Sequence, residues 1–246
     1  MNDSPLSSLP EMVDIWQQTL NWQPTAQQQL QFQRLYELII QGNQKLNVTR
    51  IIEPQEFWEK HLWDSLRGIV KLLTNPNNKL SAIDIGTGAG FPGIPFAIAL
   101  PDSQVNLLDS TQKKVTFLTQ ILPELELERA RTTVGRAEEI GQNPQYREKY
   151  DVALIRAVGN ISACAEYALP LLKKDGFAII YRGNWTDDQT STLKNAAKQL
   201  GGAIASIEKF TTPLSQGTRH CIYLRKVENT PNKFPRAIGV PTHKPL

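Results

Sequence analysis

The run Ile83-Asp84-Ile85-Gly86-Thr87-Gly88-Ala89-Gly90-Phe91-Pro92-Gly93 constrains the chain more than any other segment. It reads as a buried strand that stops in a glycine turn, the place where an α/β sheet holds a nucleotide-like ligand. Glycine at 86, 88 and 90 permits a turn with positive φ and leaves no Cβ between the main chain and a ligand lying on it. Taken alone, Gly-x-Gly-x-Gly fits an NAD dehydrogenase, a methyltransferase or a plain tight turn, so its context has to choose.

An acidic residue begins that context. Beyond a helical stretch from Phe96 to Leu100, the apolar run Val105-Asn106-Leu107-Leu108 ends in Asp109. It stands roughly twenty residues after the glycines, the interval expected for a carboxylate that binds ribose hydroxyls. NAD and S-adenosylmethionine satisfy that interval equally. Asp84 separates them, because hydrophobic-Asp-hydrophobic-Gly-x-Gly-x-Gly looks like the first motif of class I methyltransferases. A carboxylate there can anchor a methionine ammonium, directly or through water; its other reading is an acid that only caps the glycine loop.

At 246 residues, 40% hydrophobic and 21% charged, the chain can fill one large α/β domain with additions. No stretch approaches the length of a membrane span. The N-terminus, with Asp3, Pro5 and Glu11, lacks the basic start and apolar block of a signal peptide, so a cytoplasmic, membrane-free protein is expected. Cys164 and Cys221 are too few for a disulfide framework or a zinc site, and no metal is expected. A net charge of +3 is mild, so nucleic-acid binding has to come from local basic patches.

Three regions follow from the patterning. Residues 1–78 read as a helical extension. There Pro24 precedes a helix whose Phe32, Leu35, Tyr36 and Ile39 share one face, and a second helix after Pro54 carries Trp58, Leu62, Leu66, Ile69 and Leu73 as its stripe. The turn Thr74-Asn75-Pro76-Asn77-Asn78 is the expected boundary. Residues 79–226 alternate β-type and helical runs, the pattern of a mostly parallel sheet covered on both faces. Strands are expected at 82–85, 105–108, 131–134, 152–155, 177–181, 204–210 and 220–224, the last two as a hairpin. Residues 227–246, with four prolines and Lys233, Arg236, His243 and Lys244, read as an extended basic arm lying on the domain or on RNA.

Together these residues resemble the bacterial small-subunit ribosomal RNA guanine-N7 methyltransferases, also called glucose-inhibited division protein B. The marks are Asn47-Val48-Thr49, the run His61 to Leu66, the loop from Asp84 to Pro95, and Leu108-Asp109-Ser110 with Lys113-Lys114 and Phe117-Leu118. Further on come Gly135 to Glu139, Tyr150-Asp151 with Arg156-Ala157, and the ending Phe234-Pro235-Arg236 to Lys244-Pro245-Leu246. The resemblance implies a class I Rossmann-like fold with an N-terminal helical extension and S-adenosylmethionine as donor. It also implies a target guanine in the 530-loop of 16S rRNA, guanine 527 in standard rRNA numbering, and a partner that is 16S rRNA or the small ribosomal subunit. A monomer is expected.

Carried over by position, Asp84, Gly86, Gly88, Gly90 and Phe91 form the cofactor loop, and Asp109, Ser110 and Thr111 sit by the ribose. Ala137 and Glu138 lie near the adenine, and Arg156 borders the methionine end. Arg182, Arg219, Arg236 and Lys244 are expected to contact RNA phosphates. The chain departs from the family in having Arg182 where Lys is frequent and Val48 where Leu is common.

Guanine N7 carries an unprotonated lone pair, so its attack on a sulfonium methyl requires no base. Positioning should supply most of the acceleration, and no catalytic triad is expected; Arg156, at the methionine end, is the one candidate for a catalytic role. After the Val152 strand the chain reads Arg156-Ala157-Val158-Gly159, not the Asn/Asp-Pro-Pro-aromatic loop of exocyclic-amine methylation, and Cys164 follows Ala163 and not the Pro of a nucleophile loop. His61 with Asp64 one turn away reads as a structural histidine in preference to a functional pair. Two rivals stay open: an NAD-dependent oxidoreductase, and a non-catalytic RNA-binding protein that keeps the cofactor fold.

Overall fold

All seven β-type runs form strands in the computed structural model, which describes residues 8–74 and 79–246. They are β1 Ser81–Ile85, β2 Gln104–Asp109, β3 Ala130–Val134, β4 Tyr150–Arg156, β5 Leu172–Arg182, β6 Gly202–Thr211 and β7 Thr218–Lys226. Their order across the sheet is β3-β2-β1-β4-β5-β7-β6. The first five run parallel, while β7 enters antiparallel beside β5 and pairs with β6 as a hairpin. From β1 the chain builds outward through β2 and β3, then returns to lay β4 on the other side of β1. That reversal opens a crevice beyond the carboxyl ends of β1 and β4, between the glycine loop and Arg156.

The helices are α1 Val13–Leu20, α2 Ala26–Leu46, α3 Pro54–Phe57, α4 Asp64–Arg67, α5 Val70–Leu73, α6 Gly93–Ala99, α7 Gln112–Glu124, α8 Ala137–Gln142, α9 Ile161–Ala168, α10 Asp187–Gln199 and α11 Val240–His243. A capping box of Thr25 and Gln28 starts α2, and Phe32, Leu35, Tyr36 and Ile39 are all buried as their spacing predicts.

The second expected helix is corrected in one respect. Its stripe is buried, but the helix is segmented, with a π-helical turn over Trp58–Trp63 between α3 and α4. There the Asp64 N–H donates to the carbonyl of Glu59, five residues back, which widens the turn. A second break falls at Gly68, whose carbonyl accepts from the Tyr223 hydroxyl at 2.9 Å. Tyr181 of β5 donates to the Ser65 carbonyl at 2.8 Å and packs where a Cβ on Gly68 would stand, 2.4 Å from its ring.

These contacts join the extension to the sheet. Phe57, Trp58, Leu62 and Leu66 share one core with Val105, Val152, Leu154 and Ile179, so the helices before β1 cover a sheet face instead of building a core of their own. Residues 75–78 of the expected boundary turn lie outside the described residues. The opposite face is covered by α9, α10 and the chain end: Phe234 is buried at 3% exposure in the second core, and Leu246 packs against it. Of the two expected places for the terminal segment, the structure has it on the domain, where it adds Phe234 to the core. Among the described residues no helix is long and apolar enough to cross a membrane.

Gly68→Ala should therefore lower stability by about 1–3 kcal/mol through overpacking against Tyr181. Denaturant unfolding checks this, and an unchanged midpoint would mean that the helical extension does not sit this closely on β5.

Candidate functional site

Everything at the crevice hangs on the turn after β1. Asp84 is fully buried, and its Oδ2 accepts from the Thr87 hydroxyl at 2.6 Å and the Gly93 N–H at 2.7 Å. Those bonds close the loop over its own strand. Burial lifts the Asp84 carboxyl to about 6, although both bonds and the nearby Arg156 pull it down. Oδ1 is buried without a hydrogen-bond partner. Asp84 thus takes the capping role, and it lines neither cavity described below.

The loop glycines divide into two kinds. Gly86 has φ 71°, and a Cβ there would meet Val158 at 2.6 Å. Gly88 N–H donates to Asp109 Oδ2 at 3.0 Å, while Asp109 Oδ1 accepts from Thr111 N at 2.8 Å. One carboxylate at the end of β2 thereby pins the loops after β1 and β2. Gly90 turns inward, its missing Cβ replaced by Ile94 and Leu118, so it serves packing and not the crevice. Thr111, at the N-terminus of α7, is exposed and lines neither of the two cavities that follow.

Two cavities meet at Gly86. The first, about 270 Å³, is lined by Asp109 and Ser110 from one side and Ala137 and Glu138 from the other, which gathers most of the expected ribose and adenine residues. Glu138 is 2% exposed; its Oε1 accepts from Tyr167 Oη and Arg136 Nη2, and Oε2 is buried without a partner. Tyr167 and Thr242 complete this wall. Sequence reasoning missed both: Tyr167 follows no strand and falls in no motif, while Thr242 lies in the terminal run from Phe234 to Leu246, which reads as a basic arm.

The second cavity, about 590 Å³, holds Phe91, His61, Asp64, Arg156, Arg182 and Arg219. Arg156 is its hub: Nη1 donates to Lys60 O at 2.8 Å and Asp64 Oδ2 at 3.1 Å, and Nη2 lies 3.3 Å from His61 Nδ1. Its guanidinium also lies 5.7 Å from the centre of the Phe91 ring. His61 and Asp64 are thus linked through Arg156. Burial raises the Asp64 carboxyl against the pull of that arginine.

His61 is stacked flat on Phe91 with ring centres 4.2 Å apart, and its Nε2 is 3.0 Å from the Thr49 hydroxyl. Burial, with Arg156 and Lys60 adding like charge, pushes the imidazole down to about 3. It is a neutral, doubly partnered ring on the cavity wall. The structural reading of His61 therefore needs one amendment: the ring is part of the crevice, and the π-helical turn is what brings it there.

The four expected RNA contacts separate. Arg182 and Arg219 line the second cavity. Arg182 Nη2 is committed to Gly159 O at 2.9 Å and Cys164 Sγ at 3.2 Å, so it also braces the loop after β4. Burial raises Cys164 to about 11, an inert thiol. Arg219 Nη1 donates to the carbonyl of its neighbour Thr218. Arg236 is corrected: its Nε and Nη2 bind the fully buried carboxylate of Glu166 at 2.9 and 2.6 Å, and Nη1 donates to Lys244 O. Its charge is spent inside the protein. Lys244 is exposed and lies outside both cavities.

Comparison with known proteins bears on this arrangement. The family profile described as GidB, rRNA small subunit methyltransferase G, matches residues 28–222. A Nostoc punctiforme protein named ribosomal RNA small subunit methyltransferase G is 68% identical over 240 residues, covering 97% of this chain and 98% of that one. Its namesake in Trichormus variabilis is 64% identical over 241 residues, with 97% and 98% covered. Among solved structures, M. jannaschii TYW2 in complex with AdoMet is similar with TM-score 0.52 at 14% identity, covering 68% of this chain and 76% of that chain. At that identity the likeness concerns the fold.

The His61 ring should stay neutral from about pH 8 down to about pH 4. Because its folded value lies below the ordinary one near 6.5, the unfolded chain binds the extra proton first. Its contribution to stability is therefore intact above about 6.5 and is lost progressively as pH falls toward 3. NMR titration of the imidazole nitrogens checks this, and a midpoint near 6.5 would refute the buried, arginine-flanked placement.

Proposed function

The chain belongs to the rRNA small subunit methyltransferase G family, and on that premise we propose that it transfers a methyl group from S-adenosylmethionine to N7 of a guanine in the 530-loop of 16S rRNA. One observation supports this reading above others: two cavities of different character share Gly86 at the switch point of the sheet. The first, with its paired carboxylates and small residues, suits an adenosine. The second, aromatic and arginine-lined, suits a nucleotide.

The residues fit the cofactor. Asp84 Oδ1 and Glu138 Oε2 are buried acceptors without partners, one beneath the loop and one on a residue of the first cavity's wall. S-adenosylmethionine carries an ammonium at one end and an exocyclic amine at the other, the donors such acceptors need. Asp84 lines neither cavity, so it would hold the ammonium through water. When bound, the cofactor supplies an electrophilic methyl on a sulfonium.

The chain's own residues do the rest by positioning. The Phe91–His61 stack gives the second cavity a flat wall against which a base can lie. A neutral His61 adds no positive charge beside a sulfonium, and, pushed down to about 3, it is no effective general base. None is required, because N7 attacks through its own lone pair. Arg156 fixes the wall by holding Asp64, His61 and the Lys60 carbonyl in one arrangement. Arg182 and Arg219, at the rim made by β5 and β7, place two positive charges where phosphates of the strand would pass.

Gly86→Asp should abolish binding of S-adenosylhomocysteine, since any side chain there meets Val158 and a carboxylate would stand between the cavities. Isothermal calorimetry on the full chain reads it, and unchanged affinity would remove the cofactor from this site.

In A-form RNA the major groove is deep and narrow, so a paired guanine hides its N7. A small subunit or assembly intermediate that splays the target should be methylated, whereas a short perfect duplex with the same guanine should be inert. Efficient transfer to the duplex would contradict the proposal. Arg219→Ala should weaken RNA binding and flatten its salt dependence by about one charge while leaving cofactor affinity intact.

A further inference from the structure

The last twenty residues were expected on the domain or on RNA, and the bonds they make are of a particular kind. Lys226, fully buried at the end of β7, donates to Leu169 O at 2.6 Å and to Thr230 Oγ1 at 2.8 Å, which fixes where the segment leaves the sheet. Arg147 then binds two of its carbonyls, Thr230 O and Phe234 O, each at 2.7 Å. Gln142 Nε2 donates to Pro235 O at 2.7 Å, and Pro235 fills the space a Cβ on Gly141 would need. Arg236 grips Glu166 of α9 through its backbone N–H as well as its guanidinium. This is a strap fastened at several points along its length.

Beyond Arg236 the strap arrives at the first cavity. Gly239 N–H donates to Glu138 Oε1 at 3.0 Å, the shortest of the three bonds that oxygen accepts. Thr242 lies against the Tyr167 hydroxyl at 3.1 Å and is itself part of the cavity wall. Oε1 is thereby saturated, and Oε2 of the same carboxylate is left buried and unpartnered.

We propose that the C-terminal strap is a wall of the adenosine pocket, held there by the Arg236–Glu166 pair, and that it sets cofactor affinity by orienting Glu138 and closing the cavity with Thr242. This rests on the reading of the first cavity as the adenosine site. Arg236 is accordingly a positioning residue. It touches no ligand, and its effect passes through Gly239 and Thr242 to Glu138. A strap that is undocked part of the time lowers apparent affinity in proportion to the docked fraction. Loss of Arg236 also leaves Glu166 a buried charge without its partner, which favours undocking.

Two ligands and three variants test this. In calorimetry on the full chain, S-adenosylhomocysteine and 5′-methylthioadenosine, which lacks the amino-acid moiety, are each titrated into the unmodified protein, Arg236→Ala, Arg236→Lys and Thr242→Trp. Arg236→Ala should weaken both ligands by the same factor, about tenfold or more, with Arg236→Lys recovering part of the loss and RNA affinity unchanged. Equal loss on both ligands excludes an effect confined to the methionine end, and unchanged RNA affinity excludes general loosening of the crevice. Thr242 is exposed, so Thr242→Trp tests the wall even where Arg236→Ala fails to fold: its indole should fill the cavity and exclude both ligands. Unmodified protein that binds neither ligand would overturn the cofactor reading itself. Unmodified protein that binds both, with Arg236→Ala or Thr242→Trp unchanged, would overturn the strap alone.

Discussion

At the carboxyl end of β4 the Arg156 guanidinium reaches across the crevice to the Lys60 carbonyl and the Asp64 carboxylate, and beside it stands His61 on Phe91. One side chain therefore joins the sheet, the glycine loop and the helical extension. Asp64 is mostly buried and would carry its charge at a cost without that partner. The same positive charge helps keep His61 neutral. Shape and electrostatics of the second cavity follow from this single arrangement, and the proposed base-free displacement at N7 would need little more from the protein than a fixed shape.

The sheet topology explains why the arrangement falls where it does. Since β1 and β4 are neighbours while the chain builds away from them in opposite directions, their carboxyl ends open onto a gap with no crossover above it. Asp84 and Asp109 then act as fasteners. Asp84 uses one oxygen on the Thr87 hydroxyl and the Gly93 N–H, and Asp109 uses both on backbone N–H groups of the turns beyond the strands. Carboxylates that in sequence look like ligands are first of all what keeps the loops in place, and only the oxygens left over are free for a cofactor.

How much of this was legible follows from distance along the chain. The strands were, because β-type runs ending in glycine or acid carry their own punctuation, and the α2 stripe was, because Phe32, Leu35, Tyr36 and Ile39 declare a period. The π-helical turn was not, since its residues satisfy an α-helical period equally well. Arg236 was misjudged for a clearer reason: in sequence it is a cation among prolines, and its partner Glu166 is seventy residues away in a helix that reads as apolar. Thr242 sits in the terminal arm and Tyr167 carries no motif, so only folding shows that they flank the same cavity as Asp109. Pairings between distant segments decide whether a surface arginine meets RNA or a buried carboxylate, and local pattern does not contain them.

Which atom is methylated decides the proposed function. Small subunits lacking the modification, incubated with the protein and S-adenosylmethionine, can be analysed by reduction and aniline treatment, which cleave RNA at 7-methylguanosine. The account predicts a single new scission in 16S rRNA, at a guanine of the 530-loop, dependent on the cofactor. A methyl group incorporated without scission, on another atom or another base, would contradict it.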